Sequence, residues 1–167
     1  GARTGDREAS QEEAPLSLNG IDCYGLYKFL AERLVEFHAA DALILRLGTL
    51  IGPGLKKNPV FDAVNGDPIR QTSDSTLSLM SLEVLTKVLD VLMETGAGGI
   101  YNITAEASVS VATMLELVSE VLGKDADSFT FDSSPSHTDY DISIAKISRV
   151  VAMPDSKTIL KQYLSLA

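Results

Sequence analysis

Cysteine occurs once in the 167 residues, at Cys23, so no internal disulfide can form and a reducing compartment fits the chain. Positive charge is scarce as well: 14 Lys plus Arg stand against 23 Asp plus Glu, for a formal charge of −9. With no basic stripe, nucleic acid is not an expected partner. Long apolar runs are missing, and stretches such as Ala42 to Leu45 are far too short to cross a bilayer, so no membrane partner is expected. The first residues lack the basic-then-apolar order of a secretory leader. His38 and His137, the two histidines, stand far apart without Cys or acidic ligands at metal spacing, so no metal site is expected. Ser133, Ser134 and Ser136 have no His/Asp partner at a recognisable spacing, which leaves serine hydrolysis without support. Repeats and low-complexity tracts are absent too. The expectation is a soluble, cytoplasmic domain.

What is present is ordinary globular composition, with 45% apolar and 22% charged residues, which argues against disorder. A chain of this length should bury roughly two-thirds of its unfolded surface, as one domain or two small lobes. Residues 1–20 are rich in charge, poor in apolar periodicity, and read as an exposed irregular loop. Residues 22–38 read as a helix capped by Asp22, with Leu26, Leu30, Leu34 and Phe37 as a core-facing stripe. Leu43 to Leu47 is an apolar run ended by Gly48, which suggests a buried parallel strand. Gly52-Pro53-Gly54 then interrupts any regular element.

Further on, Asn58–Val64 reads as a short helix, and Ile69–Thr72 and Leu77–Met80 as short strands. Ser81 caps a helix to about Met93, Ile100–Ile103 is a buried strand, and Ser110 begins a helix that ends at Gly123. Phe129–Phe131 and Ile142–Ile144 read as strands flanking a Ser/Pro-rich loop at Ser133–Ser136. Asp155 or Ser156 caps a last helix to about Leu164. Helices alternate with strands, so the class is α/β.

Chemistry enters at Tyr24-Gly-Leu-Tyr-Lys28. On a helix, positions i and i+4 share a face, so the Tyr24 phenol and Lys28 ammonium can share a site. A cation beside a phenol favours tyrosinate, which can exchange a proton with a substrate hydroxyl or carbonyl. Lys28 also has donors for a ribose hydroxyl. Alone this spacing is a weak signal, and an exposed helix pair is the default. Tyr27, on a neighbouring face, reads as packing, and Cys23 as a small residue without a basic group to activate it. Lys56-Lys57, after the glycine turn, reads as a surface pair, with a phosphate contact as the sharper alternative. Asp125, Asp127 and Asp132 read as a solvated acidic loop, and the sequon Asn102-Ile-Thr104 falls in an expected strand and is discounted.

The order of motifs carries more than any one of them. Tyr24 to Arg33 is followed by a strand ending Leu45-Arg46, then Gly52-Pro53-Gly54, then Gly99-Ile-Tyr-Asn-Ile103, then Val109-Ser110-Val111 opening a helix that closes at Leu122-Gly123. This succession resembles the C-terminal portion of the extended short-chain dehydrogenase/reductases, the NAD-dependent epimerase/dehydratase family. The likeness is clear from about Glu12 to Gly123 and looser beyond. It implies the C-terminal part of a Rossmann-type doubly wound parallel sheet plus a small α/β substrate lobe. Residues 1–54 would be the remnant of the nucleotide-binding domain. Residues 55–167 would be mainly the substrate lobe, with about 81–103 returning to the sheet.

The resemblance makes Tyr24 the acid/base, and gives Lys28 the nicotinamide ribose and the lowering of the tyrosine pKa. Leu47, Gly48 and Thr49 fall where relatives contact the nicotinamide, and Thr49 and Lys57 are the substrate-side candidates. The implied cofactor is NAD or NADP, and the implied substrate is a sugar nucleotide. Relatives are often dimeric through the helix bearing the tyrosine, so a homodimer is among the expectations. Three features depart from the pattern. No glycine-rich turn follows a strand to cradle a pyrophosphate, since Gly96-Ala-Gly-Gly99 precedes one and reads as a helix terminator. The catalytic Ser or Thr of relatives would fall at or before Gly1, and Ser10 and Ser17 are too close to Tyr24. Many relatives have Asn at Thr49 and an Arg near Asp74-Ser-Thr-Leu77, where no cation stands. The expectation is therefore the second half of an oxidoreductase, inactive by itself. The alternative is a binding or assembly module that keeps the fold without cofactor chemistry.

Overall fold

The computed structural model describes residues 11–14 and 21–166. Helix α1 (Cys23–His38) starts where the Asp22 carboxylate accepts the Gly25 N–H at 2.7 Å. Strand β1 (Leu43–Leu47) and strand β2 (Thr49–Ile51) follow, separated by Gly48 alone. Helix α2 (Pro59–Asn65) is capped by Asn58 and stopped by Gly66, which takes a left-handed φ of 78°. Strands β3 (Ile69–Gln71), β4 (Thr76–Leu77) and β5 (Leu79–Ser81) lead into helix α3 (Leu82–Glu94), whose cap is Ser81. Strand β6 (Gly99–Ile103), strand β7 (Val109–Ser110) and helix α4 (Val111–Leu122) come next, with Ser110 capping the helix and Gly123 ending it. Strand β8 (Phe131–Ser136) and helix α5 (Ser156–Leu164), capped by Asp155, complete the order. In each of these caps the side-chain oxygen satisfies an N–H that the helix itself cannot.

Strand β1 runs parallel to β6 with Arg46 opposite Asn102, and β2 runs parallel to β5. The chain changes partner at one residue. Gly48 N–H donates to the Ile103 carbonyl on β6 at 3.0 Å, and Thr49 N–H donates to the Ser78 carbonyl at 2.8 Å. A side chain at Gly48 has nowhere to go: its Cβ would overlap Thr104 Oγ1 and stand 2.6 Å from the Ser78 carbonyl oxygen. Farther along the chain β3 pairs with β8 in parallel and β4 with β7 antiparallel. One apolar core gathers Ile51, Ile69, Leu77 and Met114 with Ile159 and Leu160 of α5, and a second gathers Met80, Val88 and Leu92 with Tyr101, Ile103 and Ile147. Val84 on α3 packs against both. Ser156 ties the C-terminal helix to the sheet, its buried hydroxyl accepting the Leu79 N–H at 3.1 Å.

Four expectations are corrected. Helix α1 has no buried residue, and Leu30, Leu34 and Phe37 are exposed by 47%, 60% and 83%. Its half-buried row is Leu26, Phe29 and Glu32, and the helix meets β1 through the polar Glu32–Arg46 pair rather than through that apolar stripe. Residues 11–14 are irregular with Gln11 and Glu13 exposed, as expected, but Glu12 is buried, its carboxylate accepting the Asn102 N–H at 2.8 Å. Residues 1–10 and 15–20, including Ser10 and Ser17, lie outside the described residues. The expected strand Leu77–Met80 is broken at Ser78, whose carbonyl is taken by Thr49 and whose hydroxyl accepts from Thr104 at 2.7 Å. The Ser/Pro segment is itself the strand β8, while Ile142–Ile144 is not one. Pairing with β3 on one edge leaves the other free to accommodate Pro135. Among the described residues no helix is long and apolar enough to cross a membrane.

Candidate active site

The first turn of α1 presents Tyr24, 70% exposed, and Lys28 follows one turn later with its Nζ 5.5 Å from the Tyr24 ring centroid. Only residues 39–42 connect α1 to β1, so the helix runs back along the strand. Its N-terminal turn therefore lies toward the C-terminal end of β1, the end at which open α/β sheets bind ligands. That end is Leu47, Gly48 and Thr49: Leu47 is exposed, Thr49 half-buried, and Gly48 is bare backbone at the partner change. Lys57 is exposed in the segment leading to α2. His137 follows β8, its Nδ1 3.2 Å from Thr72 Oγ1 and 3.4 Å from Asp74.

The firmest polar contact of α1 comes one turn beyond Lys28. Glu32 meets Arg46 of β1 in a two-pronged pair, Nη2 to Oε1 at 2.6 Å and Nε to Oε2 at 2.9 Å. Arg46 immediately precedes Leu47, so the pair joins the Tyr–Lys helix to the strand end. Arg33 also reaches Glu32 and bridges to Glu36 at 2.7 Å. Hydrogen bonding from Arg46 holds the Glu32 carboxyl below the usual carboxylate range, outweighing its burial, and Glu32 in turn raises Arg46. The sequence offered one trace of this pair: Arg46 is the single charge in an otherwise apolar strand. Its partner is 14 residues away in sequence and has no local signature.

Glu32 releases its proton more readily folded than unfolded, so its contribution is complete above the ordinary glutamate range and lost as pH falls through the lowered value. Glu32→Gln is expected to flatten the acid limb of thermal stability below about pH 5 while lowering stability at neutral pH. Melting curves of both proteins across that range check this; parallel acid limbs would contradict it.

No family model matches the chain, and no curated protein matches it in sequence. Solved structures do match. What the fold defines first is a class, a Rossmann-type α/β architecture with parallel strand pairs. The particular likeness is to dTDP-glucose 4,6-dehydratase from Bacillus anthracis in complex with NAD, at a TM-score of 0.74 and 15% identity, over 92% of this chain and 54% of that one. The Bordetella bronchiseptica enzyme WbmG in complex with NAD and UDP also gives 0.74, at 17% identity over 95% of this chain and 55% of that one. UDP-glucuronic acid 4-epimerase from Bacillus cereus in complex with NAD gives 0.71, at 19% identity over 92% and 53%. The dehydratase and the epimerase are the kinds of enzyme that the order of motifs resembles. The chain spans about half the length of each of these structures.

Proposed function

We propose that this chain is the acid/base helix and substrate lobe of an NAD(P)-dependent sugar-nucleotide epimerase or dehydratase. The observation that carries the reading is the Tyr24–Lys28 pair on one face of the helix that precedes β1. That the matched structures include a dehydratase and an epimerase, each in complex with NAD, supports it. Residues 1–54 would belong to the nucleotide-binding domain, and 55–167 mainly to the substrate lobe with 81–103 returning to the sheet.

The residues present fit the nicotinamide half of such a cofactor. Lys28, whose Nζ stands 5.5 Å from the Tyr24 ring centroid, offers ammonium donors for a ribose. Nothing in the sequence offers a glycine-rich pyrophosphate cradle. Bound nicotinamide would supply the hydride acceptor. Tyr24 Oη, as a phenolate beside the Lys28 ammonium, would take the proton of the substrate hydroxyl as that carbon is oxidised, and would become the neutral phenol. Thr49 and Lys57 would meet the substrate. The exposed row Leu30, Leu34 and Phe37 would supply the apolar contact of a homodimer.

The test is the full-length natural protein given NAD and either UDP-glucose or dTDP-glucose. Transient reduced-nicotinamide absorbance, with formation of the 4-epimer or the 4-keto-6-deoxy product, is expected. Tight NAD binding without turnover would move the substrate class. Absence of NAD binding would favour the second reading, a binding or assembly module on the same fold. One observation already leans that way: the Asp74–Leu77 neighbourhood is acidic where a sugar-nucleotide phosphate would want a cation.

A further inference from the structure

We propose that Arg46 is a positioning residue, which sets the orientation of the helix bearing Tyr24 and Lys28 over the strand that ends at Leu47–Thr49. The importance of that orientation rests on the function proposed above; the tether itself does not.

Apolar burial cannot fix α1, since the helix has no buried residue and turns only a half-buried row inward. Arg46 supplies what packing does not. Its two-pronged grip on Glu32, with side chains 22% and 10% exposed, constrains rotation as well as distance because both groups are planar forks. A third donor, Nη1, reaches the Glu12 carbonyl at 3.4 Å. The Glu12 carboxylate in turn accepts from the backbone of Asn102, the residue opposite Arg46 on β6. One guanidinium thus gathers the 11–14 segment, the helix and both strands.

The lever arm makes this consequential. Tyr24 lies eight residues from Glu32, roughly 12 Å along the helix, so a tilt of about 5° at the pair moves the phenol by about 1 Å. Displacement of that size can cost on the order of a hundredfold in rate. Lysine cannot substitute, because it offers a point charge in place of a fork.

Cys23 allows the test, being the sole cysteine, exposed, and adjacent to Tyr24. A nitroxide attached there should broaden the amide resonances of Leu47 to Thr49 in a fixed pattern in the wild-type chain. Arg46→Lys is expected to lose that pattern while the α4 and α5 amide shifts stay in place. Should that variant not fold, Glu32→Gln asks the same question with Arg46 and its Glu12 contact retained. In the full-length protein, Arg46→Lys should lower kcat by roughly ten- to a hundredfold with substrate KM little changed. An unchanged broadening pattern overturns the inference, and so does a loss accompanied by shifts throughout α4 and α5. A lost pattern in a protein without nicotinamide chemistry confirms the tether and overturns the function proposed for Tyr24.

Discussion

Tyr24→Phe is expected to lower kcat by at least about a hundredfold in the proposed reaction, at nearly unchanged substrate KM. The substitution removes one oxygen and keeps the ring, so the Lys28 ammonium 5.5 Å from the ring centroid keeps its partner. At 70% exposure the residue lies outside both apolar cores, and stability should stay within about 0.5 kcal/mol of wild type. Loss of turnover with an unmoved melting temperature separates a proton-transfer role from a packing role. Steady-state rates of the full-length protein, with thermal melts of the same preparations, measure both. Full activity in this variant would make the Tyr-x-x-x-Lys spacing an accident of an ordinary helix, and the acid/base assignment would go with it.

The legible parts of the fold are those whose cause is local. Asp22, Ser81, Ser110 and Asp155 each sit just before an apolar-periodic run, and each accepts the N–H three residues on. Nothing beyond the first turn is needed for that. The Tyr24–Lys28 spacing was legible for the same reason, since helix geometry alone puts the two on one face. Where the cause is tertiary, periodicity misleads. Leu30, Leu34 and Phe37 form an apolar stripe, but a stripe does not say what it packs against, and here the stripe is exposed while Glu32 meets Arg46 of β1. Strand β8 has the composition of a loop, and it is a strand because β3 offers hydrogen bonds across more than sixty residues of sequence. Glu12 looks like solvent-loving charge, and its burial depends on an N–H that belongs to Asn102. The Glu32–Arg46 pair is hidden in the same way, because only the fold makes the two neighbours.

Gly48→Ala is expected to cost about 3 kcal/mol, at the upper end of overpacking penalties, for the loss of a single hydrogen's worth of space. The residue is not a flexible hinge, for it is not among the glycines with positive φ. The added methyl would overlap Thr104 Oγ1 and come within 2.8 Å of Thr104 Cβ. Neither obstacle can move cheaply. Thr104 is fully buried and donates to Ser78 Oγ at 2.7 Å, while the Ser78 carbonyl, 2.6 Å from the new methyl, accepts the Thr49 N–H that starts the β2–β5 pairing. Thr104→Ala in the same chain should recover only part of the loss, because it clears the side chain and leaves the carbonyl. Gly54→Ala makes the contrast: nothing lies within 4 Å, and its penalty, about 1 kcal/mol, would come from a φ of 80°. Urea unfolding of the three variants against wild type distinguishes the two mechanisms. A Gly48→Ala protein as stable as wild type would mean that the strands can separate at the partner change, and the reason for glycine there would shift from packing to the approach of a ligand at the end of β1.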